Sequence, residues 1–338
     1  GSDLKDVAPG EGETDNYTLD AYAQNIYYSS NKEDVERRHI WKSAVTGEST
    51  SQITKGAGIE TDPIAVGANL YCFRTSLSST SLLTRVDEFR KTNTPVNSFK
   101  PLPANYFVKP EAVAVPPSEG TSLGGQLFID RLLNGKRIPL VFIHGGPQQQ
   151  MMPGFHSNDT YSDVYAFNQY LASLGYAVIA INYRGSSGYG KDFRSSTKFD
   201  SKKELLDIVA AAKFLQLLPE VDKTKVGVFG LGYGGNLAEQ MLANYSDLFK
   251  GGVNIQINDG SGSEDRVRAA DIGKWSSPVL FIGSQDQLAS KIELTTKLKN
   301  KNVSVDIFQL PSETPLNSRE SRVIVFKNIQ DFFDKKLK

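Results

Sequence analysis

A glycine-rich turn between a predicted strand and a predicted helix is the strongest candidate for chemistry in this sequence. The strand covers residues 226–229, the helix covers about 235–244, and the turn between them reads Gly230-Leu231-Gly232-Tyr233-Gly234-Gly235. A sharp turn with the pattern G-x-S-x-G presents a nucleophilic serine for acyl transfer, and Gly232 stands where that serine would be. Glycine has no side chain that could attack a carbonyl, so the position lacks a nucleophile.

Three other interpretations of this turn also need to be considered. A tight turn without any ligand requires nothing beyond the glycines. A phosphate loop would end in Lys-Ser or Lys-Thr, and that pair is missing here. A dinucleotide site would need an acidic residue at the end of the following strand, and none stands at the usual distance.

Candidate acid and base groups lie on both sides of the turn. Asp286 follows a predicted strand, 279–282, where it could orient a catalytic histidine or cap a turn. The three histidines of the chain, His39, His144 and His156, all precede the turn. His144 begins the sequence His-Gly-Gly-Pro after a strand, where it could face a substrate or only cap the strand end. We expect His156, which lies in a polar loop, to be solvated.

The elements around these residues predict an α/β fold. From residue 138 onward, apolar strands alternate with amphipathic segments of helical length, as in a mostly parallel sheet covered by helices. The predicted strands are 138–143, 177–182, 226–229, 252–257, 279–282 and 304–310. The predicted helices are 161–174, 204–218, 235–244, 290–300 and 321–336. This order is typical of a doubly wound α/β sheet.

Four motifs, in this order along the chain, resemble those of the prolyl oligopeptidase family of serine peptidases. They are His144-Gly145-Gly146-Pro147, the segment 182–193 with the sequence NYRGSSGYGKDF, the turn 230–235, and the strand and loop 277–286. The resemblance covers roughly residues 105–338 and implies an α/β-hydrolase fold for them.

The resemblance assigns the positions of a Ser-His-Asp triad. Gly232 occupies the vacated nucleophile position, and Asp286 is the surviving acid. The family's histidine base lies in a loop after the last strand, where Pro315 gives the best match in this chain. Losing the nucleophile or the base of such a triad lowers turnover by about 10⁶-fold. The resemblance therefore implies a chain that does not catalyse acyl transfer.

The resemblance also assigns an oxyanion hole. The backbone amide of Tyr233 and the loop formed by His144, Gly145 and Gly146 would stabilise a developing oxyanion or contact a bound ligand. Binding without cleavage is the expected consequence of keeping these groups while losing the nucleophile.

The residues before the hydrolase-like part divide into two stretches. Residues 1–19 are acidic and poor in large apolar side chains, which predicts a flexible lead-in. Residues 20–104 contain short strands separated by polar turns. Within them, His39–Lys42 and Gln52–Gly56 resemble the end of the β-propeller that precedes the hydrolase domain in this family. Because propeller blades bury their faces against neighbouring blades, we interpret 20–104 as a β-rich propeller remnant and 105–338 as the hydrolase domain.

The composition excludes several classes of partner. Basic and acidic residues are equal, at 38 each, so no net field attracts nucleic acid or anionic lipid. Cys72 is the single cysteine, which excludes an internal disulfide and a cysteine-based zinc site. We expect neither a metal nor another cofactor.

The chain also has no run of about 18 apolar residues that would span a membrane. We expect a soluble protein, cytoplasmic or exported, that could form homo-oligomers. It begins with Gly-Ser, like the remnant of a cleaved tag.

The leading functional hypothesis is a pseudo-peptidase that binds a peptide or another protein. One alternative is an active serine-type hydrolase of the acylaminoacyl-peptidase or dipeptidyl-peptidase kind, or such an enzyme inactivated by deliberate substitution. Another is an enzyme of a different class that uses Asp286, His144 or Tyr233 as acid or base. Ser261 and Ser263, in a short loop between two strands, are weaker candidates for a displaced nucleophile. A role in assembly alone is the remaining option.

Overall fold

The computed structural model describes residues 6–97, 108–117, 119–120, 122–196, 202–256, 272–310 and 318–338. Packing divides the chain into two units. The first unit comprises Gly1–Phe107, Met152–Ala166 and Ser187–Asp192. The second unit comprises Val108–Met151, Phe167–Ser186 and Phe193–Lys338.

The first unit contains two four-stranded antiparallel sheets, and the strands of each sheet follow their order in the sequence. The first sheet consists of β1 (Thr14–Leu19), β2 (Asn25–Ser30), β3 (His39–Ala44) and β4 (Thr50–Gln52). The second sheet consists of β5 (Ile59–Val66), β6 (Asn69–Ser76), β7 (Ser79–Asp87) and β8 (Thr92–Pro95). This is the β-rich segment that the sequence predicts before the hydrolase-like part.

A small apolar core holds strands of both sheets together. Because successive side chains of a strand point to opposite faces, only alternate residues contribute to it. Its buried members are Tyr27, Ile40, Ile53, Leu70, Cys72 and Val86. Cys72 is completely buried, and burial, followed by the charge of Glu60, raises the pKa of its thiol to about 12. The cysteine is therefore a packing residue of this core.

Strand β1 corrects the sequence prediction, which assigns residues 1–19 to a flexible lead-in. Thr14–Leu19 pairs with β2, with Tyr17 opposite Tyr28 and Leu19 opposite Ile26. The side chains of β1 are mostly exposed, so its sequence shows little apolar pattern. Hydrogen bonding to a neighbouring strand, which a local pattern cannot reveal, makes this segment a strand.

The second unit contains a mixed eight-stranded sheet. Its strands are β9 (Glu111–Val115), β10 (Leu123–Ile129), β11 (Ile138–Ile143), β12 (Tyr176–Ile181), β13 (Gly227–Leu231), β14 (Gly251–Ile255), β15 (Val279–Gly283) and β16 (Val305–Gln309). Their order in the sheet is β16-β15-β14-β13-β11-β12-β10-β9. The pairs from β12 to β16 are parallel, whereas β10 is antiparallel to both β9 and β12. The sheet is therefore mostly parallel, as predicted.

Helices pack on both faces of this sheet. The helices of the described residues are α1 (Asp159–Ser173), α2 (Lys191–Ser195), α3 (Lys202–Leu217), α4 (Tyr233–Asn244), α5 (Gln285–Ala289), α6 (Ile292–Asn300) and α7 (Arg319–Leu337). One face forms a core with α3 and α4. On the other face, Phe229 of β13 contacts Phe167 of α1 and Phe333 of α7. Because both faces are covered, the central strands are apolar along their whole length.

The helices and strands of the mostly parallel sheet agree with the sequence prediction, whereas several other elements do not. The strands β4, β5 and β8 and the helices α2 and α5 are not predicted. Strand β5 contains Pro63 and shifts its register against β6 between Thr61 and Ile64, which breaks the alternation on which the prediction rests. Among the residues described, no helix is both long enough and apolar enough to cross a membrane.

Two loops within the hydrolase-like part belong to the first unit by their contacts, although the sequence predicts one boundary near residue 105. The backbone amide of Phe155 donates to the carbonyl of Ser76 at 2.9 Å. The amide of Gly190 donates to Glu13 Oε1, also at 2.9 Å. These bonds join residues far apart in sequence, so a linear division of the chain cannot show them.

Candidate functional site

The glycine-rich turn has the geometry of a strand-to-helix elbow. Strand β13 ends at Leu231, Gly232 follows with φ 52° and ψ −115°, and α4 begins at Tyr233. The amide of Gly232 donates to the carbonyl of Ile255 at 2.9 Å, which ties the elbow to the end of β14. A positive φ is the conformation that L side chains rarely adopt and glycine tolerates. The elbow is therefore present, with a hydrogen atom where a nucleophile's side chain would project.

Two glycines after the elbow are required by close packing. A Cβ atom at Gly234 would overlap the backbone carbonyl oxygens of Ile143 and His144, and one at Gly235 would overlap the side chain of Asn254. The first turn of α4 therefore lies directly against the end of β11 and the loop that follows it. This contact places the loop of residues 144–147 beside the elbow.

His144 anchors that loop. The side chain is completely buried, with Nδ1 2.9 Å from the carbonyl of Gly145 and Nε2 2.9 Å from Ser186 Oγ. The imidazole stacks on the ring of Tyr183, with ring centroids 4.4 Å apart, and the Tyr183 hydroxyl donates to the His144 carbonyl at 2.9 Å. Burial lowers the pKa of His144 to about 4, more strongly than the bond to Gly145 raises it. His144 is thus neutral at physiological pH and positions the loop.

The contact between Ser186 and His144 is a serine–histidine pair that the sequence analysis does not single out. Both side chains are completely buried, and Ser186 Oγ also lies 2.6 Å from the carbonyl oxygen of Tyr183. A nucleophile must reach the substrate carbonyl, which this buried hydroxyl cannot do. The pair connects two loops and is not a displaced catalytic dyad.

The glycines of the loop shape its backbone. Gly145 is buried, and Gly146 is half-buried with a φ of 113°. This φ lies in the region that favours glycine. The loop predicted to contribute to an oxyanion hole therefore depends on glycine for its conformation.

Tyr233 is attached to α3 through its hydroxyl. The side chain is buried, and its OH donates to Glu204 Oε2 at 2.6 Å. The backbone amide of Tyr233 lies in the first turn of α4, where amides point out of the helix end towards an anion. Tyr233 therefore has a structural side chain, and its amide is the part that the prediction places in an oxyanion hole.

A second buried carboxylate of α3 holds the loop of residues 182–186. Arg184 Nη2 lies 2.6 Å from Asp207 Oδ1, and the Arg184 backbone amide donates to Asp207 Oδ2 at 2.8 Å. Burial raises the pKa of Asp207, although its bonds to Arg184 oppose this effect. Charge-assisted pairs with this fork geometry fix orientation as well as distance. Helix α3 thus fastens both the elbow and the neighbouring loop.

Asp286, the predicted acid, lies in the first turn of the short helix α5. Its side chain is exposed. The capping role belongs to Ser284, whose hydroxyl accepts from the Gln287 amide while the Gln287 side chain accepts from the Ser284 amide. Asp286 therefore follows the carboxyl end of β15, where the prediction places it, but it does not cap the helix.

The remaining predicted site positions fall outside the described residues. These are Pro315, the position assigned to the base, and Ser261 and Ser263, the weaker candidates for a displaced nucleophile. Their roles stay predictions from the sequence.

The two other histidines belong to the first unit. His39 Nδ1 lies 2.8 Å from Glu60 Oε2, and both side chains are buried. His156 Nδ1 accepts from the amide of Asn158 at 2.9 Å. Burial, followed by the charge of Arg38, lowers the pKa of His156 to about 4. His156 is half-buried, so it is less solvated than the sequence predicts, because the loop around it is folded.

A buried polar network beside the elbow was not predicted. Lys291 Nζ lies 2.6 Å from Glu239 Oε1 and 3.4 Å from Asn236 Oδ1. Asn254 Nδ2 also donates to Glu239, and Gln256 Nε2 donates to Asn254 Oδ1 at 2.7 Å. Burial raises the pKa of Glu239, and the ammonium of Lys291 opposes this shift. The network joins α4, the end of β14 and the start of α6.

The sequence does contain a signal for this network. Asn236 and Glu239 are three residues apart in a helix whose other residues are mostly apolar, so they share one face. Asn254 and Gln256 are two residues apart at the end of a strand, so they also share a face. Polar residues on buried faces need partners. No group of three or more His, Cys, Asp or Glu side chains that could hold a metal ion occurs in the described residues.

Comparison with known proteins finds one matching family model, over part of the chain, and a set of relatives. The model of the prolyl oligopeptidase family matches residues 163–256. Human dipeptidyl peptidase 8 is 35% identical over 162 residues, which cover 46% of this chain and 17% of the relative. The acylamino-acid-releasing enzyme of Arabidopsis thaliana is 26% identical over 243 residues, which cover 60% of this chain and 31% of the relative. The chain thus spans a minor part of these curated relatives.

Solved structures share the fold over nearly the whole chain. An acylaminoacyl peptidase in complex with Z-Gly-Gly-Phe-chloromethyl ketone has a TM-score of 0.79 at 20% identity, covering 100% of this chain and 58% of that one. A puromycin-hydrolyzing peptidase of Mycobacterium tuberculosis has a TM-score of 0.80 at 16% identity, covering 100% and 57%. At these identities the likeness establishes the fold, an α/β-hydrolase sheet preceded by small antiparallel sheets.

Proposed function

Because this chain is a homologue of the prolyl oligopeptidase family, we propose that it is a pseudo-peptidase that binds a peptide or another protein without cleaving it. The observation that supports this proposal most directly is Gly232, which occupies an elbow whose backbone is intact. Acyl transfer by this family's chemistry needs a serine hydroxyl at that position. The elbow offers a hydrogen atom instead.

The histidines of the chain support the same conclusion. All three precede the elbow, and His144, the one that lies beside the elbow, is completely buried and hydrogen-bonded through both ring nitrogens. A general base must reach the proton that it removes. The chain therefore offers no imidazole at the usual place of the base.

The size of the catalytic loss makes residual peptidase activity negligible. Removing the nucleophile or the base of a serine triad lowers turnover by about 10⁶-fold. The rate that remains from the oxyanion hole and binding alone is about 10³ to 10⁴ times that of the reaction in water. Such a rate is far too slow for amide bonds, so binding is the function that the remaining parts of the site can perform.

A peptide-like ligand fits the parts of the site that remain. The amide of Tyr233 and the loop of Gly145 and Gly146 flank the elbow, as the backbone donors of an oxyanion hole would. These amides would donate hydrogen bonds to the carbonyl oxygen of a ligand just as they would to that of a substrate. The relatives named above are peptidases, which favours a peptide over other carbonyl compounds.

Labelling with a fluorophosphonate probe tests the proposal. We expect no covalent adduct by intact-mass spectrometry and no release of product from chromogenic dipeptide or N-acylated amino-acid substrates, because no activated hydroxyl is available. The Gly232→Ser variant restores the hydroxyl but no base, so we expect it to stay at least about 10³-fold slower than an intact serine peptidase of this family. Stoichiometric labelling of the unaltered chain would overturn the proposal.

The same experiment examines a second candidate, an enzyme of another class. The observation that favours it is the largely buried ion pair between Lys291 and Glu239 of α4, the helix that follows the elbow. Burial raises the pKa of Glu239, and such groups occur at catalytic sites. Product release without covalent labelling would indicate this class. Noncovalent binding of a Z-Gly-Gly-Phe amide, measured by isothermal titration calorimetry, with neither labelling nor turnover, would support the pseudo-peptidase.

A further inference from the structure

The first unit contains a cavity whose lining residues are not part of the elbow. Its volume is about 710 Å³, and it is lined by residues of three stretches, 10–12, 31–35 and 188–190. All three stretches belong to the first unit. Clefts of about 300–1,000 Å³ are the usual size for ligand sites in proteins. The cavity is therefore large enough to receive a long side chain of a partner.

The charge of this region differs from that of the whole chain. Residues 6–38 contain eight acidic and three basic residues, although the complete sequence is balanced. The residues that line the cavity include Glu11, Glu33 and Asp34 and no lysine, arginine or histidine. A concave wall with charges of one sign concentrates ions of the opposite sign.

The three basic residues of the region bind elsewhere or neutralise only part of the charge. Lys32 Nζ donates to the carbonyl of Pro9 at 2.6 Å. Arg38 Nε lies 2.5 Å from Asp15 Oδ2. Neither of these residues lines the cavity, but the Lys32 ammonium lies beside Gly10 of its wall and offsets part of the negative charge there.

Of the lining carboxylates, only Asp34 has an ion-pair partner within the described part of the chain. Its Oδ2 lies 3.2 Å from Arg37 Nη1. Glu11 and Glu33 form no ion pair among the described residues, and both are exposed. These two carboxylates therefore supply the charge that a cationic ligand would meet.

The third wall is held in place by specific hydrogen bonds. Asn31 Nδ2 donates to the carbonyl of Gly188 at 2.5 Å, and the amide of Gly190 donates to Glu13 Oε1 at 2.9 Å. Tyr189, between these two glycines, donates its hydroxyl to Glu36 at 3.2 Å. An aromatic side chain is thus fixed in the wall, where its ring can attract a cation.

We infer that this cavity binds a lysine or arginine side chain of a peptide or protein partner. The lining combines two carboxylates without ion pairs among the described residues and an aromatic ring, which are groups that bind an organic cation. A metal ion does not fit, because the described residues contain no group of three or more ligating side chains in reach of one point. This inference does not depend on the elbow and goes beyond the proposed pseudo-peptidase function.

Fluorescence anisotropy with four short peptides tests the inference. Each peptide is N-acetylated and C-amidated, has a neutral dye, and differs at one central residue: lysine, arginine, norleucine or citrulline. Because the blocked ends and the dye are neutral, a difference in affinity between the peptides reports the charge of the central side chain. We expect the lysine peptide, the arginine peptide or both to bind about twofold to fivefold more tightly than their neutral counterparts. This difference corresponds to the strength of exposed ion pairs. Raising the salt concentration should remove this preference.

Paired variants of the full chain locate the binding. Glu11→Gln with Glu33→Gln should reduce the affinity for the cationic peptide to that for the neutral one, because both unpaired carboxylates are lost. Glu320→Gln removes one exposed carboxylate of α7 that does not line the cavity, and it should leave the affinity unaltered. Circular dichroism verifies that the variants fold.

Equal binding of cationic and neutral peptides would overturn the inference, as would absence of binding by any of them. Unchanged affinity in the double variant, or an equal loss in Glu320→Gln, would also overturn it. Because the fluorophosphonate experiment concerns only the elbow, failure of either proposal leaves the other standing.

Discussion

Gly232 preserves the backbone shape of the elbow but provides no side chain for chemistry. Its φ of 52° is a conformation that costs an L residue about 1–2 kcal/mol. In a serine hydrolase that strain is part of the mechanism, since it projects the nucleophile into the site. With glycine at this position the turn forms without that strain and without a side chain that could project from it. We therefore expect a more stable elbow than one with a catalytic serine.

Replacing Gly232 by alanine tests this explanation. We expect the free energy of unfolding to fall by about 1–2 kcal/mol, because the new Cβ atom is forced into a positive-φ conformation. Urea denaturation at pH 7 measures the change. The matched control is Gly251→Ala in β14, where φ is not positive and a Cβ atom would make only ordinary contacts at 3.7 Å. We expect that control to lie within about 0.5 kcal/mol of the unaltered chain, and equal losses in the two variants would contradict the explanation.

Helix α3 positions two neighbouring parts of the site. Its carboxylates Glu204 and Asp207 are three residues apart and both are buried. Glu204 accepts a hydrogen bond from the Tyr233 hydroxyl at the start of α4. Asp207 binds Arg184 in the loop of residues 182–186. Buried polar groups cost free energy unless they are paired, so each bond constrains the element that it reaches. The helix was predicted from its apolar pattern, but the partners of its two carboxylates were not.

The Tyr233→Phe variant measures one of these attachments. We expect a loss of about 1–3 kcal/mol in the free energy of unfolding, because Glu204 loses a hydrogen bond in a buried position. Tyr170→Phe is a matched control, since the Tyr170 hydroxyl also donates a hydrogen bond, at 3.1 Å to Gln330, but is exposed. That control should change stability by no more than about 0.5 kcal/mol. A similar loss in both variants, measured by urea denaturation, would show that the bond to Glu204 is not specially stabilising.

At the scale of the whole molecule, each unit contains one histidine with a lowered pKa. His144 belongs to the second unit and His156 to the first, and burial lowers both pKa values from 6.5 to about 4. Between these two pH values the unfolded chain binds more protons than the folded chain. Stability contributed by the neutral imidazoles is therefore complete above about pH 6.5 and decreases as the pH falls towards 4.

The His144→Asn variant tests this acid sensitivity. For the unaltered chain we expect His144 to contribute a loss of about 2 kcal/mol between pH 7 and pH 5, which follows from pKa values of 6.5 and about 4. Asparagine does not titrate, so the variant should lose about 2 kcal/mol less over the same interval. Urea denaturation at the two pH values gives the comparison. An unchanged pH dependence in the variant would contradict the assignment of a lowered pKa to His144.

The sequence by itself determined the features that depend on local pattern or on counting. Apolar periodicity predicted the long strands and helices of the mostly parallel sheet, and four motifs in order indicated the family. Gly232 at the elbow and the absence of histidine after it are read directly from the residues. These conclusions needed no contact between distant parts of the chain.

The tertiary structure decided which residues meet. It placed Met152–Ala166 and Ser187–Asp192 in the first unit, made Thr14–Leu19 a strand, buried His144 against Tyr183, and joined Glu239 to Lys291 across two helices. Each of these results depends on hydrogen bonds and packing between residues far apart in sequence, and local patterns contain no information about such pairs. The glycine at the elbow could thus be read from the sequence, whereas the backbone geometry of the elbow and the acidic cavity of the first unit required the fold.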